Sequence, residues 1–282
     1  MGRNGFGFTN AIFYIRSTMK ATSPISQTRL KNYQKLTQKK YRQAERKYLV
    51  EGIRLVEEAL TSNAAIEAVI INSEFLKEDY AKDIIDNVKK RRIDCFEASE
   101  KDFNYLSDTV ATQGIIGVIV MNEPNVEQFW NNLPKKSLLV ALDDISDPGN
   151  VGTIIRSCDW FGVEGVFLNK NTVELYNPKV VRSTMGSIFH IPIFADVDLP
   201  RILHRGKEEK FSITVSAVSG GKRLSAFEMR ERCLLVLGNE IQGVSSEVKR
   251  IADEFITIPQ FGKAESLNVG VACGVILGKM RI

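Results

Sequence analysis

The feature that most constrains the fold is a series of short apolar runs through the second half of the chain. Leu138–Leu142, Gly165–Leu168, Phe189–Phe194, Ser212–Ala217, Leu234–Leu237 and Phe255–Ile258 read as strands. Helical stretches fill the gaps at about 150–161, 178–185, 199–205, 224–231, 245–253 and 268–279. Strands that are apolar almost without interruption need cover on both faces, so the alternation predicts a parallel sheet sandwiched by helices. In such sheets ligands bind beyond the carboxyl ends of the strands.

The front half alternates on a smaller scale. Strands are expected at Tyr48–Gly52, Ala68–Ile71, Ile93–Phe96 and Ile115–Met121, with helices at Ile53–Leu60, Asp79–Lys90 and Asp102–Leu106. They make a small α/β domain over residues 29–121. Residues 122–136 hold Pro124, Pro134 and four asparagines and read as a linker to a second domain at 137–282. Phe129 and Trp130 within it can pack against either side.

The net charge of +4 conceals its distribution. Residues 1–50 carry eleven Lys or Arg against one acid, Glu45. A front-loaded positive field suits a polyanion such as RNA, the alternative being a solvated basic face. Residues 29–47 read as one basic helix, and Lys39, Lys40, Arg42 and Arg46 on it, with Arg54 just beyond, are the candidate RNA contacts. Residues 1–28 are expected as a flexible basic leader: a transit peptide, a disordered extension, or sequence upstream of a start at Met19. Cys95, Cys158, Cys233 and Cys273 are widely spaced, and with only two histidines no metal-ligand spacing occurs. They read as reduced, buried thiols of a cytoplasmic protein.

Three strand ends carry unusual residues. LDDISDPGNVGTIIRS (142–157) turns through Asp147 and Pro148 into a helix at Asn150, expected as its N-cap, with Arg156 six residues further on. LGNEIQGVSSEV (237–248) turns through Gly238, Asn239 and Glu240 to a helix capped by Ser245. IPQFGKAESLNVGVACGVILGK (258–279) loops past Ser266 and Asn268 into a helix with Gly270, Gly274 and Gly278 on one stripe. That stripe suits close approach of another backbone, the alternative being a tightly packed core helix with no chemical role. An ordinary surface arginine and plain strand–turn–helix crossovers are the bland readings of the same residues. GxxxxGK[ST] is absent and no GxGxxG follows a strand, which disfavours NTPases, kinases and dinucleotide dehydrogenases.

Taken together in this order, the three segments resemble the motifs of the SpoU (TrmH-like) RNA 2′-O-ribose methyltransferases of the SPOUT superfamily. KKYRQAERKYLVEGIRLVEEAL (39–60) is similar to the start of the L30e-like RNA-binding domain that precedes the catalytic domain in ribosomal-RNA members. The resemblance implies a parallel-sheet catalytic domain with a C-terminal trefoil knot, a homodimer with its active site at the interface, and S-adenosyl-L-methionine as methyl donor. It implies that Asn150, Arg156, Glu240, Ser266 and Asn268 are catalytic. The donor is held mainly by backbone near Ala217, Gly238, Asn239, Ile258 and Leu267. Arg156 then clamps a phosphate, since guanidinium stays protonated and is a poor base. Ile241 departs from the family's glycine, so the turn there either differs or tolerates ordinary geometry. Large-subunit ribosomal RNA is the expected substrate; the alternatives are transfer RNA and a non-catalytic RNA-binding protein on this scaffold.

Overall fold

The computed structural model describes residues 22–109 and 112–282; most of the expected leader, residues 1–21, lies outside them. The described residues form two compact units, divided between Asn122 and Glu123.

The first unit is built on a mixed five-stranded sheet of β1 (Thr22–Pro24), β2 (Lys47–Glu51), β3 (Ile66–Ile71), β4 (Asp94–Glu97) and β5 (Ile115–Val120), in the order β1-β4-β3-β5-β2. β4 runs parallel to β1 and β3, whereas β5 runs antiparallel to β3 and β2. Residues 22–28, read from sequence as leader, hold an edge strand in which Pro24 is tolerated. Ser26 then caps the first helix by accepting from Arg29 N at 3.3 Å.

The single basic helix expected over 29–47 is two helices, α1 (Gln27–Lys35) and α2 (Lys39–Glu45). Buried Arg42 accounts for the break. Its Nη1 donates to Leu36 O at 3.0 Å and Thr37 O at 2.8 Å, satisfying carbonyls just past the end of α1. Leu30, Tyr33 and Leu36 meanwhile anchor α1 in a core with Phe103 and Val118. Helices α3 (Ile53–Thr61), α4 (Ala81–Lys90) and α5 (Glu100–Leu106) complete the unit. Arg91 closes the end of α3 in the same manner, donating to Ala59 O at 2.9 Å and Leu60 O at 2.8 Å.

In the second unit, residues 122–136 hold a helix, α6 (Val126–Asn131), capped by Asn125. Its Trp130 is buried and stacks on Phe167 at 5.7 Å between centroids, while Phe129 lies 4.8 Å from Phe194. These rings bind the segment to the sheet that follows. That sheet comprises β6 (Ser137–Asp143), β7 (Gly165–Asn169), β8 (Ile193–Val197), β9 (Ser212–Ser216), β10 (Lys222–Arg223), β11 (Arg232–Gly238) and β12 (Glu254–Thr257). All seven strands are parallel, in the order β10-β12-β9-β11-β6-β7-β8.

Alternation within the apolar runs sends Leu138, Val140 and Leu142 to one face of this sheet and Leu139 and Ala141 to the other. The first face packs on α7 (Pro148–Trp160) and α11 (Val269–Arg281), through Ile154, Ile155, Cys158, Cys273 and Leu277. The second packs on α6, α9 (Leu199–Glu208) and α10 (Ser246–Ile251). The remaining helix, α8 (Pro178–Thr184), lies on α7, where a Cβ added to Gly152 would stand 2.8 Å from Val180 O. Close backbone approach is therefore found at Gly152. The stripe at Gly270, Gly274 and Gly278 faces side chains instead: Thr153 at 3.1 Å, Ser157 at 3.9 Å and Phe161 at 3.6 Å from an added Cβ.

Two expected elements differ. The strand expected from Phe189 starts at Ile193, because a 3-10 turn spans Ser187–Phe189 and Pro192 has no N–H for a ladder. The helix expected over 224–231 is only the 3-10 turn Leu224–Ala226. Pairing of Lys222 and Arg223 with β12 keeps the entry extended, and Leu224 and Phe227, three apart, are both anchored in the core. Among the described residues no helix is long and apolar enough to cross a membrane.

Candidate active site

The register of the second sheet brings the first two motifs together: Gly238 at the end of β11 pairs with Asp143 at the end of β6. From there the chain enters α7 through Asp147, the true N-cap, whose Oδ1 accepts from Asn150 N at 2.8 Å. Pro148 stands at the first helical position, where its missing N–H costs nothing. Asn150 is therefore not the cap, as expected from sequence, but a first-turn residue whose amide is free to bridge. Its Nδ2 donates to Glu240 Oε1 at 2.7 Å, and its Oδ1 accepts from Asn268 Nδ2 at 2.9 Å. Asn268 caps α11, accepting from Gly270 N at 2.9 Å and Val271 N at 3.2 Å. One amide thus joins all three motifs.

The second loop is held by its own asparagine. Asn239 and Gly243 exchange main-chain hydrogen bonds at 3.1 and 2.9 Å, and Asn239 Oδ1 accepts from Ile241 N and Gln242 N. Asn239 Nδ2 donates to Asp144 O at 2.9 Å, tying the loop to the end of β6. The left-handed residue of this turn is Gly243, at φ +68°, and Ile241 has no positive φ. The departure at Ile241 thus falls where ordinary geometry is allowed, and its side chain points into solvent.

Asp143 is a further residue of this site, and its signal in the sequence is an acid ending an apolar strand. It is buried, accepting from Ser245 N at 2.7 Å and from Asn169 Nδ2 at 2.8 Å. Burial raises its pKa above the ordinary aspartate value, against the opposing effect of the Ser245 hydrogen bonds. Asn169 in turn accepts from Thr172 N and Asp144 N. This network fixes the floor from which the first two loops spring.

Beyond the strand ends lies a cavity of about 610 Å³, within the range of small-molecule sites. Ala217, Gly238, Asn239, Glu240, Ile258, Ser266 and Leu267 line it. From Ile258 to Leu267 no main-chain group has a main-chain partner among the described residues; only Gln260 Nε2 reaches Gly262 O and Ala264 O. One wall of the cavity thus carries main-chain N–H and C=O groups with no main-chain partner, which suits a ligand recognised through backbone. Asn150 and Asn268 adjoin it through the bridge to Glu240. Arg156 does not line it: it is exposed on α7 and makes no hydrogen bond or ion pair among the described residues.

Of the first unit's candidates, Lys39, Lys40, Arg46 and Arg54 are exposed. Arg42 is a correction. It is 3% exposed with its guanidinium spent on Leu36 O and Thr37 O, so it is a helix-terminating residue and not a contact for RNA phosphate.

A parallel sheet with a cofactor-sized cavity past its strand ends, and a polar bridge beside that cavity, defines an α/β enzyme class. The chain belongs to the SpoU rRNA methylase family, whose profile matches residues 137–278. An MRM3-like substrate binding domain matches residues 27–117. The chain is 32% identical over 263 residues to the 23S rRNA (guanosine(2553)-2′-O)-methyltransferase RlmP of Bacillus subtilis, covering 93% of this chain and 100% of that protein. It is 27% identical over 234 residues to the 23S rRNA (guanosine-2′-O-)-methyltransferase RlmB of Neisseria meningitidis, covering 82% and 94%. An AdoMet-bound rRNA methyltransferase from Sinorhizobium meliloti superimposes with a TM-score of 0.79 at 28% identity, over 92% of this chain and 97% of that one. Membership makes the chain an S-adenosylmethionine-dependent RNA 2′-O-methyltransferase.

Proposed function

We propose that the chain methylates the 2′-oxygen of a ribose in large-subunit ribosomal RNA, with a guanosine as target. The observation that carries this reading is the Glu240–Asn150–Asn268 bridge beside a backbone-walled cavity. The names of the two 23S rRNA relatives and the substrate-binding domain over 27–117 support ribosomal RNA over transfer RNA. Ala217, Gly238, Asn239, Ile258 and Leu267 would hold the donor through main-chain groups. Bound S-adenosylmethionine supplies a methyl group already activated on a sulfonium.

What remains for the protein is to orient the ribose and stabilise charge on its oxygen. Asn150 fixes Glu240 on one side and the start of α11 on the other. Glu240 would accept the hydroxyl proton, directly or through water, as the oxygen–methyl bond forms, the sulfur–methyl bond breaks and the donor leaves as a neutral thioether. Ser266 positions the ribose. Arg156, with its guanidinium uncommitted, grips the adjoining phosphate. Lys39, Lys40, Arg46 and Arg54 contact the RNA backbone.

The enzyme acts as a homodimer through the catalytic unit. Support comes from apolar side chains left in water on and near the two helices that flank Arg156 and Asn268. Trp160 is 85% exposed, Val271 51% and Val275 44%. Arg156, one turn before Trp160, then serves the partner's cavity, which accounts for its separation from its own. The C-terminal segment forms the family's trefoil knot, a reading supported by the return of the chain from β12 to pack α11 on α7. The test is methyl transfer by purified protein to ribosomal RNA from cells lacking the gene, with the modified position mapped. Transfer to a single 23S guanosine is expected; transfer only to transfer RNA, or none despite donor binding, sinks the reading.

A further inference from the structure

Two apolar side chains on the loops around the cavity stand almost wholly in water: Phe261 is 96% exposed and Ile241 94%. Neither belongs to a loose end. Asn239 Oδ1 holds the main chain at Ile241 and Gln242 at 2.9 and 3.1 Å, and Gln260 Nε2 holds Gly262 O and Ala264 O at 3.0 and 2.6 Å. Phe261 therefore projects from a braced loop. No ring among the described residues packs against it, and a methyl placed on the neighbouring Gly262 would meet nothing within 4 Å. A phenyl group left in water forgoes the burial that ordinarily draws such a ring inward.

The charge around it identifies the occupant. Lys263 is two residues away and exposed. Lys222 and Arg223, both exposed, flank the strand that leads into the loop, through their pairing with Ile256 and Thr257. Lys249 lines the cavity. The acids of the same rim are Glu240, already bonded to Asn150, and Glu265. A protein partner calls for a continuous apolar patch; a single flat ring among cations fits a nucleotide, whose base stacks while its phosphates meet the charges.

Resting on the methyltransferase reading above, we infer that Phe261 is a stacking platform for an unpaired base beside the target ribose, with Ile241 a second apolar contact to the same strand. Phe261 is thus a specificity-determining residue of the RNA site and no part of the donor cavity, which it does not line.

The test compares full-length wild type with Phe261→Ala, Phe261→Leu, Phe261→Tyr and Phe261→Trp. Readouts are KM for ribosomal RNA from cells lacking the gene, affinity for a labelled single-stranded oligoadenylate, donor affinity by calorimetry, and mass by light scattering. Loss of one stack predicts an RNA affinity about five- to a hundredfold weaker for Phe261→Ala. Tyrosine should restore it and leucine should not, since the contact requires a flat ring. The fluorescence of Phe261→Trp should be quenched by the oligonucleotide beyond any change in wild type. Equal RNA affinity in Phe261→Ala, full rescue by leucine, weakened donor binding, or a change of mass each overturns the inference. Wild type that fails to methylate RNA instead overturns the functional reading, and the inference with it.

Discussion

Two arginine-bearing helices, α2 in the first unit and α7 in the second, place their arginines in opposite surroundings. On α2, Arg42 is buried and its guanidinium donates to two carbonyls of its own chain. On α7, Arg156 is exposed and makes none among the described residues. The same contrast extends to the surroundings. In the first unit Glu51 is occupied by Ser107, Asp108 and Thr109, and Gln113 by the start of α3. In the second, the loop from Ile258 to Leu267 makes no main-chain to main-chain hydrogen bond among the described residues. A buried cation must be paired to exist at all, whereas one held for a ligand can only wait in water. What separates the structural arginine from the one proposed to meet RNA is thus which groups the fold has already committed.

Substitution of the two arginines should break this comparison most sharply. Arg156→Ala is expected to lower the turnover of RNA by about a hundredfold or more, the scale of losing an electrostatic contact to developing charge. Donor affinity by calorimetry and thermal stability should hardly move. Parallel loss of donor binding would move Arg156 into the cavity, and unchanged turnover would remove it from the chemistry. Mixing this variant with Gly238→Ala, which crowds the cavity loop at Gly243, should restore part of the activity if each arginine serves the partner's site.

Arg42→Ala should do the reverse. It leaves buried carbonyls without a donor and is expected to cost about 1–3 kcal/mol in chemical denaturation. Donor binding in the other unit should be unaltered. Replacing exposed Lys39, Lys40 and Arg46 together should act between these extremes, weakening RNA binding while flattening its dependence on salt, because each lost phosphate contact removes released counterions. A salt slope equal to wild type would show that these residues face solvent only.

The smallest effect expected belongs to Asp253, a carboxylate already committed to Ile213 N and Lys207 Nζ, each at 2.8 Å. Burial pushes its pKa up, but the Lys207 and Ile213 hydrogen bonds outweigh this and the net shift is downward. A depressed folded pKa means a stabilisation present above the ordinary aspartate value and lost as pH falls through the folded one. Asp253→Asn should therefore lower the melting temperature at neutral pH, with the difference from wild type shrinking in acid. A difference that grows on acidification would contradict that sign.

Much of the architecture was legible before any coordinates, because a strand buried on both faces leaves a continuous apolar signature and a helix cap leaves a polar one. The runs at Leu138–Leu142 and Leu234–Leu237 lie within β6 and β11, and Ser245 caps α10 as read. Where the reading slipped, a long-range contact had outvoted local preference. Edge pairing with β12 holds Lys222 and Arg223 extended, so that only a 3-10 turn forms where a helix is expected at 224–231, and Arg42 bonds the carbonyls at the break between two helices where one is expected.

The sequence by itself determined the class of the sheet, the three polar loops and the residue types in them, since periodicity and capping are local properties of the chain. Only the tertiary structure decided that Asn150 bridges Glu240 and Asn268, residues 90 and 118 positions away, and that Arg42 turns inward while Arg156 stays out. Those outcomes depend on which strands become neighbours and which groups are then left without partners, and no window of adjacent residues carries that information.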